Sequence, residues 1–197
     1  MTTSDKLYVF EGPDGVGKST LADWFASHLR ESGIGCILLS FPGKEVGTLG
    51  KHVYELHHDP GRFEVQGLPA ASLQLLHVAA HIDAIENRIK PLLARGETVV
   101  LDRFWWSTFV YGIACGAPRS VLDRMVSLER AVWDSIQPDR LFLVTRTEPL
   151  RTEPADLWPR WRDEYLRLGS VEGLNYPVLV IPNESIVEAK SRILESL

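Results

Sequence analysis

Residues Leu7 to Leu21, LYVFEGPDGVGKSTL, constrain this chain more than any other stretch. Leu7, Tyr8, Val9 and Phe10 form an apolar run of strand length. Gly12 to Ser19 follow with the spacing G-x-x-x-x-G-K-[ST], and an amphipathic helical pattern begins at once. Strand, glycine loop and helix in that order make a phosphate-binding loop, or P-loop. Glycines let successive backbone N–H groups converge on phosphate oxygens with no Cβ in the way. The helix that follows aims the positive end of its dipole at the same anion. Gly12, Asp14, Gly15, Val16, Gly17, Lys18, Ser19 and Thr20 are the expected ATP-binding set. Lys18 reaches the outer phosphates, and the Ser19 hydroxyl is a ligand for Mg²⁺.

A length of 197 residues suits one domain over 1–197 with a full core. The net charge of −5 argues against general nucleic-acid affinity, which needs a basic footprint, but leaves room for a small anionic ligand. Cys36 and Cys115 are two distant cysteines, which is no disulfide framework and fits a reducing cytoplasm. The opening MTTSDK lacks the basic and apolar segments of a secretion signal. No apolar run approaches the roughly 18 residues of a membrane span. The expectation is a cytoplasmic protein without a membrane segment.

Apolar periodicity then orders the chain. Leu21, Trp24, Phe25, His28 and Leu29 mark one helical face, and Gly33 closes that helix. Ile34 to Leu39 is a second strand, followed by Phe41-Pro42-Gly43-Lys44. A helical stretch runs over Lys51 to His58, and Asp59-Pro60-Gly61 is a turn. A long helix covers about Pro69 to Leu93. Leu75, Val78, Ala79, Ile82, Ile85, Ile89 and Leu92 form its expected buried face, and Pro91 kinks or finishes it. Thr98 to Leu101 is a third strand, running into Asp102-Arg103. Later strands fall at Leu141 to Val144 and Pro177 to Ile181, each with helical patterns on either side. Alternating strands and helices predict an α/β fold of the P-loop NTPase class, a doubly wound five-stranded parallel sheet flanked by helices. Ligands of such sheets collect at the carboxyl ends of strands, where the P-loop, Phe41-Pro42 and Asp102-Arg103 all fall.

Asp102-Arg103 is the second strong signal, an acid to stand beside Mg²⁺ and a cation to stand beside phosphate. With it, FEGPDGVGKST, FP after the second strand and DRFWWSTFVYG after the third resemble the thymidylate kinase family. That family carries a G-x-D/E-x-x-G-K-S/T loop and a D-R-Y-x-x-S-x-x-A-Y-Q-like segment. The resemblance covers about Leu7 to Gly112 and implies phosphoryl transfer from ATP to dTMP, giving dTDP. It implies that Asp14 meets the acceptor's sugar and phosphate, and that Asp102 orients Mg²⁺ water. Arg103 would clamp both phosphates. Phe41, Pro42 and Lys44 would line the acceptor site, and Ser107 and Tyr111 would face the base. It also implies a homodimer built through the helix after the P-loop and the long helix.

Several residues depart from the family pattern. Phe104 stands in place of tyrosine, and Gly112 where glutamine is common. His77 and His81 occupy the register of a base-stacking phenylalanine and an arginine that contacts the base. Their i, i+4 spacing also matches a metal pair, but with no glutamate between them and no cysteine nearby a pocket wall or a satisfied helix histidine is the better reading. The lid segment, about 146–168, is short. Arg146 and Arg151 are its candidates for the transferred phosphate, whereas the later arginines fit i, i+4 pairs such as Arg160–Glu164 and Asp163–Arg167. Trp158 and Trp161 fit packing. Two alternatives stay open at this point: a deoxynucleoside or modified-nucleotide kinase, and a nucleotide-binding protein with little catalysis. Lys44 near the acceptor favours an anionic acceptor over a neutral hydroxyl.

Overall fold

The computed structural model describes residues 6–197; all but the last residue of the MTTSDK segment lie outside the described residues. Among the described residues five strands form one parallel sheet: β1 (Leu7–Glu11), β2 (Cys36–Ser40), β3 (Thr98–Asp102), β4 (Arg140–Thr145) and β5 (Val178–Pro182). Their order is β2-β3-β1-β4-β5, so β1 is central and later connections leave to either side of it. Strands buried on both faces need helices on both faces. Leu7 and Val9 pack with Val99, Leu101, Leu141 and Leu143 on one side of the sheet. Tyr8 and Phe10 pack with Val100, Phe142 and Val144 on the other. The alternation follows directly from the period of two along a strand.

On the second face lie α1 (Lys18–Glu31) and α8 (Ile186–Glu195). Leu21, Phe25 and Leu29 carry the buried side of α1, while Trp24 and His28 are only half-buried. Phe25 meets the rings of Tyr8, Phe10 and Phe142. Ser32 is the C-cap of α1 and Gly33 follows it at φ 82°, the left-handed turn that glycine takes without strain.

The first face is covered by α3 (Ala70–Ala84), α5 (Trp105–Ala114), α6 (Arg119–Trp133) and α7 (Trp158–Glu172), with α2 (Leu49–His58) packed on α3. The long helical run expected over Pro69 to Leu93 continues from α3 through a π turn, Ile85–Ile89, into α4 (Lys90–Ala94). Pro91 lacks the N–H that would bond back to residue 87, and the wider π turn ahead of it absorbs that loss. The buried face of this run differs from the expected one. Leu75 is 49% exposed and Ala79 is exposed, while Leu73, Gln74, Val78 and His81 are buried. Packing against α2, α5 and α6 together decides which side of so apolar a helix turns inward. On α7 the ion pairs also differ from the expected i, i+4 spacing: Glu164 pairs with Arg167 and with Arg119, and Arg162 pairs with Asp163. No helix among the described residues is long and apolar enough to cross a membrane.

Candidate active site

The site is assembled where the carboxyl ends of β1 and β3 lie side by side, with Phe10 opposite Asp102. The loop between β1 and α1 takes positive φ at Gly12 (140°), Gly15 (78°) and Gly17 (86°). A Cβ on Gly12 would sit 2.1 Å from the Val144 carbonyl oxygen, and one on Gly17 2.6 Å from Asn183 Nδ2. Glycine at these positions is therefore needed for space as well as for backbone angle. Val16 is fully buried, and its carbonyl accepts from Asn183 Nδ2 at 2.7 Å. Thr20 is exposed on the first turn of α1.

Lys18 is 5% exposed. Its ammonium donates to the Pro13 carbonyl at 2.7 Å and lies 3.6 Å from Asp14 Oδ1. Burial, and then the Arg103 charge, pull its pKa down to about 8 against the opposing pull of Asp14, Asp102 and Glu11. The Ser19 hydroxyl donates to Asp102 Oδ2 at 2.5 Å, and the buried Asp102 Oδ1 has no partner. An unpartnered carboxylate oxygen beside a serine hydroxyl suits a hard, oxygen-seeking cation such as Mg²⁺, so these residues fit the ion that the P-loop implies.

Asp14 is the meeting point of three cations. It pairs with Arg103, lies near Lys18, and its Oδ2 is 3.6 Å from Arg151. Burial pushes its carboxyl up, but the Arg103 and Lys18 charges outweigh this and hold it below the usual range. Arg103 sits at φ 84°, strained for a side-chain-bearing residue, and also donates to Ser107 Oγ at 3.0 Å. Tyr111 accepts the Asp14 N–H at 3.1 Å, and Trp158 Nε1 donates to the Asp14 carbonyl at 2.8 Å. The tryptophans of α7 thus do more than pack the core: Trp158 braces the P-loop, and the Trp161 ring meets Tyr111 edge-on at 5.0 Å.

The segment after β4, expected to be the lid, lies directly on the P-loop. The Leu150 N–H donates to the Gly15 carbonyl at 2.8 Å, and Pro149 faces Gly15 closely enough that a Cβ there would lie 2.9 Å from it. Of the two lid arginines, Arg151 faces Asp14 and pairs with Glu153 at 2.5 Å. Arg146 is engaged elsewhere, on the carbonyls of Asn183 and Glu148, where it ties the ends of β4 and β5 together.

The acceptor-side residues are only partly gathered. Phe41 and Pro42 are joined by a cis peptide bond, and Phe41 is buried, stacked on His81 with ring centroids 4.3 Å apart. His81 is buried too, its Nδ1 2.7 Å from Glu129 Oε2, so it serves an internal pair between α3 and α6. His77 is half-buried and meets His57 rather than His81, Nε2 to Nδ1 at 3.4 Å. Burial, followed by the charges of His81, His57 and Arg103, pushes His77 down to about 3, so it is neutral at ordinary pH. Among the described residues no cluster of three or more metal-ligating side chains forms. The Lys44 ammonium lies over the Tyr54 ring at 4.8 Å. Ser107 is held inside the fold by Glu11, Arg103 and Tyr165.

Glu11 is the residue that sequence reasoning missed. It ends β1 fully buried, and its Oε1 accepts from the backbone N–H of Phe104 (2.8 Å) and of Ser107 (3.0 Å). Oε2 accepts from the Gly12 N–H at 3.1 Å and from the Ser107 hydroxyl at 3.0 Å. Burial pushes its pKa up, with the Arg103 and Lys18 charges pulling against that. A carboxylate inside the FEGPDG stretch, where a buried strand calls for an apolar residue, was the available signal. Glu11→Gln turns one acceptor oxygen into a donor that faces N–H groups. It should destabilise the protein by about 1–3 kcal/mol. An unfolding midpoint in urea equal to wild type would show that this carboxylate is not the anchor described.

Comparison with known proteins agrees with this geometry. The thymidylate kinase family model matches residues 10–156. A thymidylate kinase of Dinoroseobacter shibae is 38% identical over 144 residues, 73% of this chain and 66% of that protein. One from Bordetella pertussis is 33% identical over 176 residues, 84% of this chain and 77% of that protein. Among the most similar relatives the shared stretch is often under two thirds of their length, as with the Pseudomonas putida F1 enzyme, where it is 61%. The crystal structure of thymidylate kinase from Ehrlichia chaffeensis superposes with a TM-score of 0.79 at 25% identity, covering 98% of each chain. A P-loop, an Asp-Arg pair at the end of β3 and a fold shared with a solved thymidylate kinase place this chain in the thymidylate kinase family.

Proposed function

We propose that this chain transfers the γ-phosphoryl group of ATP to the phosphate of dTMP, releasing ADP and dTDP. The observation that carries the reading is the convergence of Lys18, Arg103 and Arg151 on Asp14, beside the Ser19–Asp102 pair. Cations from three segments meet where phosphates of a donor and an acceptor would lie next to each other. An acceptor phosphate is already ionised near neutral pH, so no strong base is needed, and positioning with charge neutralisation dominates. An oxygen of the dTMP phosphate attacks the γ-phosphorus as the bond to the β,γ-bridging oxygen breaks, and ADP carries that electron pair away.

The residues divide the work. Backbone N–H groups of the P-loop and Lys18 bind the triphosphate. Arg103 spans donor and acceptor phosphates, and Asp14 holds Arg103 in place until they arrive. Arg151, already facing Asp14, is the lid cation for the transferred group; Arg146 is instead a brace for the β4 and β5 ends. Ser19 and Asp102 would hold Mg²⁺, which when bound neutralises phosphate charge. Phe41, Pro42, Tyr111 and His77 line the acceptor side. Lys44, turned onto Tyr54, stands ready as a second-rank contact only if the loop after β2 moves.

ADP release over a panel of dTMP, dUMP, dCMP, thymidine and deoxycytidine with Mg-ATP tests this against the alternatives. Turnover on dTMP is expected. Turnover on unphosphorylated nucleosides alone would replace the reading with nucleoside phosphorylation, and ATP binding without turnover would replace it with a binding role. Lys18→Ala and Asp102→Asn should each lower kcat/KM by about 100-fold or more with the circular dichroism spectrum intact. Near-wild-type rates in either would refute the placement.

The lowered Lys18 pKa predicts a pH dependence. Below about 8 the free protein carries Lys18 as ammonium; above it a growing fraction is neutral. A bound triphosphate favours the ammonium, so affinity should fall as pH rises past about 8, with net proton uptake on binding there. Calorimetry in buffers of different ionisation heat reads that uptake, and its absence in wild type would show that Lys18 is charged throughout.

A homodimer is part of the same proposal. Leu49 on α2 (40% exposed) and Leu75 on α3 (49% exposed) leave apolar surface on the long-helix side of the molecule. Light scattering at micromolar concentration should give twice the mass of 22.1 kDa, and a monomer there would remove the dimer from the reading.

A further inference from the structure

Gln74 is a buried polar side chain without a task in the phosphate chemistry. It lies on α3 and is 4% exposed. Among the described residues no side-chain hydrogen bond is made by its amide, and neither amide atom is among the fully enclosed unpartnered ones, so the amide tip is left open to solvent or a ligand. Gly112 on α5 makes the room it occupies. A Cβ on Gly112 would lie 3.1 Å from Gln74 Cγ and 2.6 Å from Leu122 Cδ2. The glutamine therefore crosses from α3 to α5 at the level of Tyr111 and Gly112.

That level belongs to the acceptor side of the site. The Tyr111 hydroxyl is 3.1 Å from the Asp14 N–H, and the Arg103 guanidinium lies 5.8 Å from the Tyr111 ring. One turn along α3 from Gln74 is His77, close enough to Arg103 to be influenced by its charge. One turn before Gly112 on α5 is Thr108, a second buried polar side chain, 5% exposed. His81, the next polar group along α3, is taken by Glu129. The polar groups of α3 and α5 near Tyr111 and Gly112 are thus uncharged, and Gln74 is the one that carries both a donor and an acceptor on a planar group.

We propose that Gln74 reads the edge of the acceptor's pyrimidine, its carbonyl accepting the ring N3–H and its NH₂ donating to a neighbouring ring carbonyl. This rests on the phosphotransfer reading and names the group that recognises the base in it. A carboxamide matches the –CO–NH– edge of thymine or uracil at two points, and a base seated there would shut water away from both, so a mismatch at either would go uncompensated. Gln74 is a specificity residue in this scheme, with no part in moving the phosphoryl group.

Calorimetric titration of wild type and Gln74→Leu with dTMP, N3-methyl-dTMP and deoxyribose 5-phosphate tests the proposal. Leucine keeps the buried volume while removing both hydrogen-bonding atoms. Gln74→Leu should weaken dTMP by about 10- to 100-fold and leave deoxyribose 5-phosphate unchanged. N3-methylation should weaken binding to wild type and add nothing to the loss in Gln74→Leu. Equal dTMP affinity in the two proteins would overturn the proposal, as would equal losses for dTMP and the base-free sugar phosphate. Should the variant fold poorly, N3-methyl-dTMP on wild type alone decides, since undiminished affinity there also overturns it. Wild type that binds dTMP no better than the sugar phosphate would bring down the dTMP reading itself, a result separate from the variant's.

Discussion

The site depends on one buried carboxylate. Glu11 closes β1, and its two oxygens collect the first N–H of the P-loop and the N–H groups that start α5. The Gly12 and Phe104 N–H groups have no backbone acceptor of their own, because each segment is leaving the sheet. Without Glu11 the N–H groups of Gly12 and Phe104 would lose their acceptor inside the fold, and Ser107 as a donor would keep only the Phe104 carbonyl and Tyr165. The same contact forces the chain after β3 to turn sharply, which is where Arg103 takes its positive φ. Strain at Arg103 and burial at Glu11 are two sides of one arrangement, which brings the guanidinium back across the P-loop to Asp14.

Around Asp14 the charges are balanced before any ligand arrives. A buried Lys18 and a largely enclosed Arg103 would repel each other across a low-dielectric space. Asp14 lies between them and offsets part of that repulsion. In the proposed reaction a triphosphate and a monophosphate would bring several negative charges to the same spot, replacing one carboxylate with better partners. The lowered pKa of Lys18 is the cost of this packing, and it places the lysine's titration within reach of ordinary assay conditions.

The segment after β4 and the face of α3 each depart from what their sequence led one to expect. A short segment after β4 lies on Gly15 through Leu150, with Arg151 carried to Asp14 by the same contact. On the opposite wall His81 has turned inward to Glu129 and stacks on Phe41, which converts a position of possible ligand contact into core. The space beside Gly112 is taken by Gln74 from a different helix. In the proposed reaction uncharged groups would face the acceptor base, while the cations gather at Asp14.

Local sequence determined the five strands, the parallel α/β class and the phosphate loop. Strand burial, helix periodicity and the spacing of glycines are short-range properties, and each is written within about fifteen residues. Asp102 and Arg103 were legible for the same reason, as polar residues ending an apolar strand. Tertiary structure alone decided what those residues touch. The inward face of α3 could not be read from a helix apolar on several sides, so Leu75 and Ala79 were expected inside and lie outside, whereas Gln74 and His81 are buried. Arg146 and Arg151 look alike in sequence, five residues apart, yet one braces two strand ends and the other reaches Asp14. Glu11 was in plain view, but its meaning lies in donors more than ninety residues away, brought within 3 Å only when β1 and β3 pair.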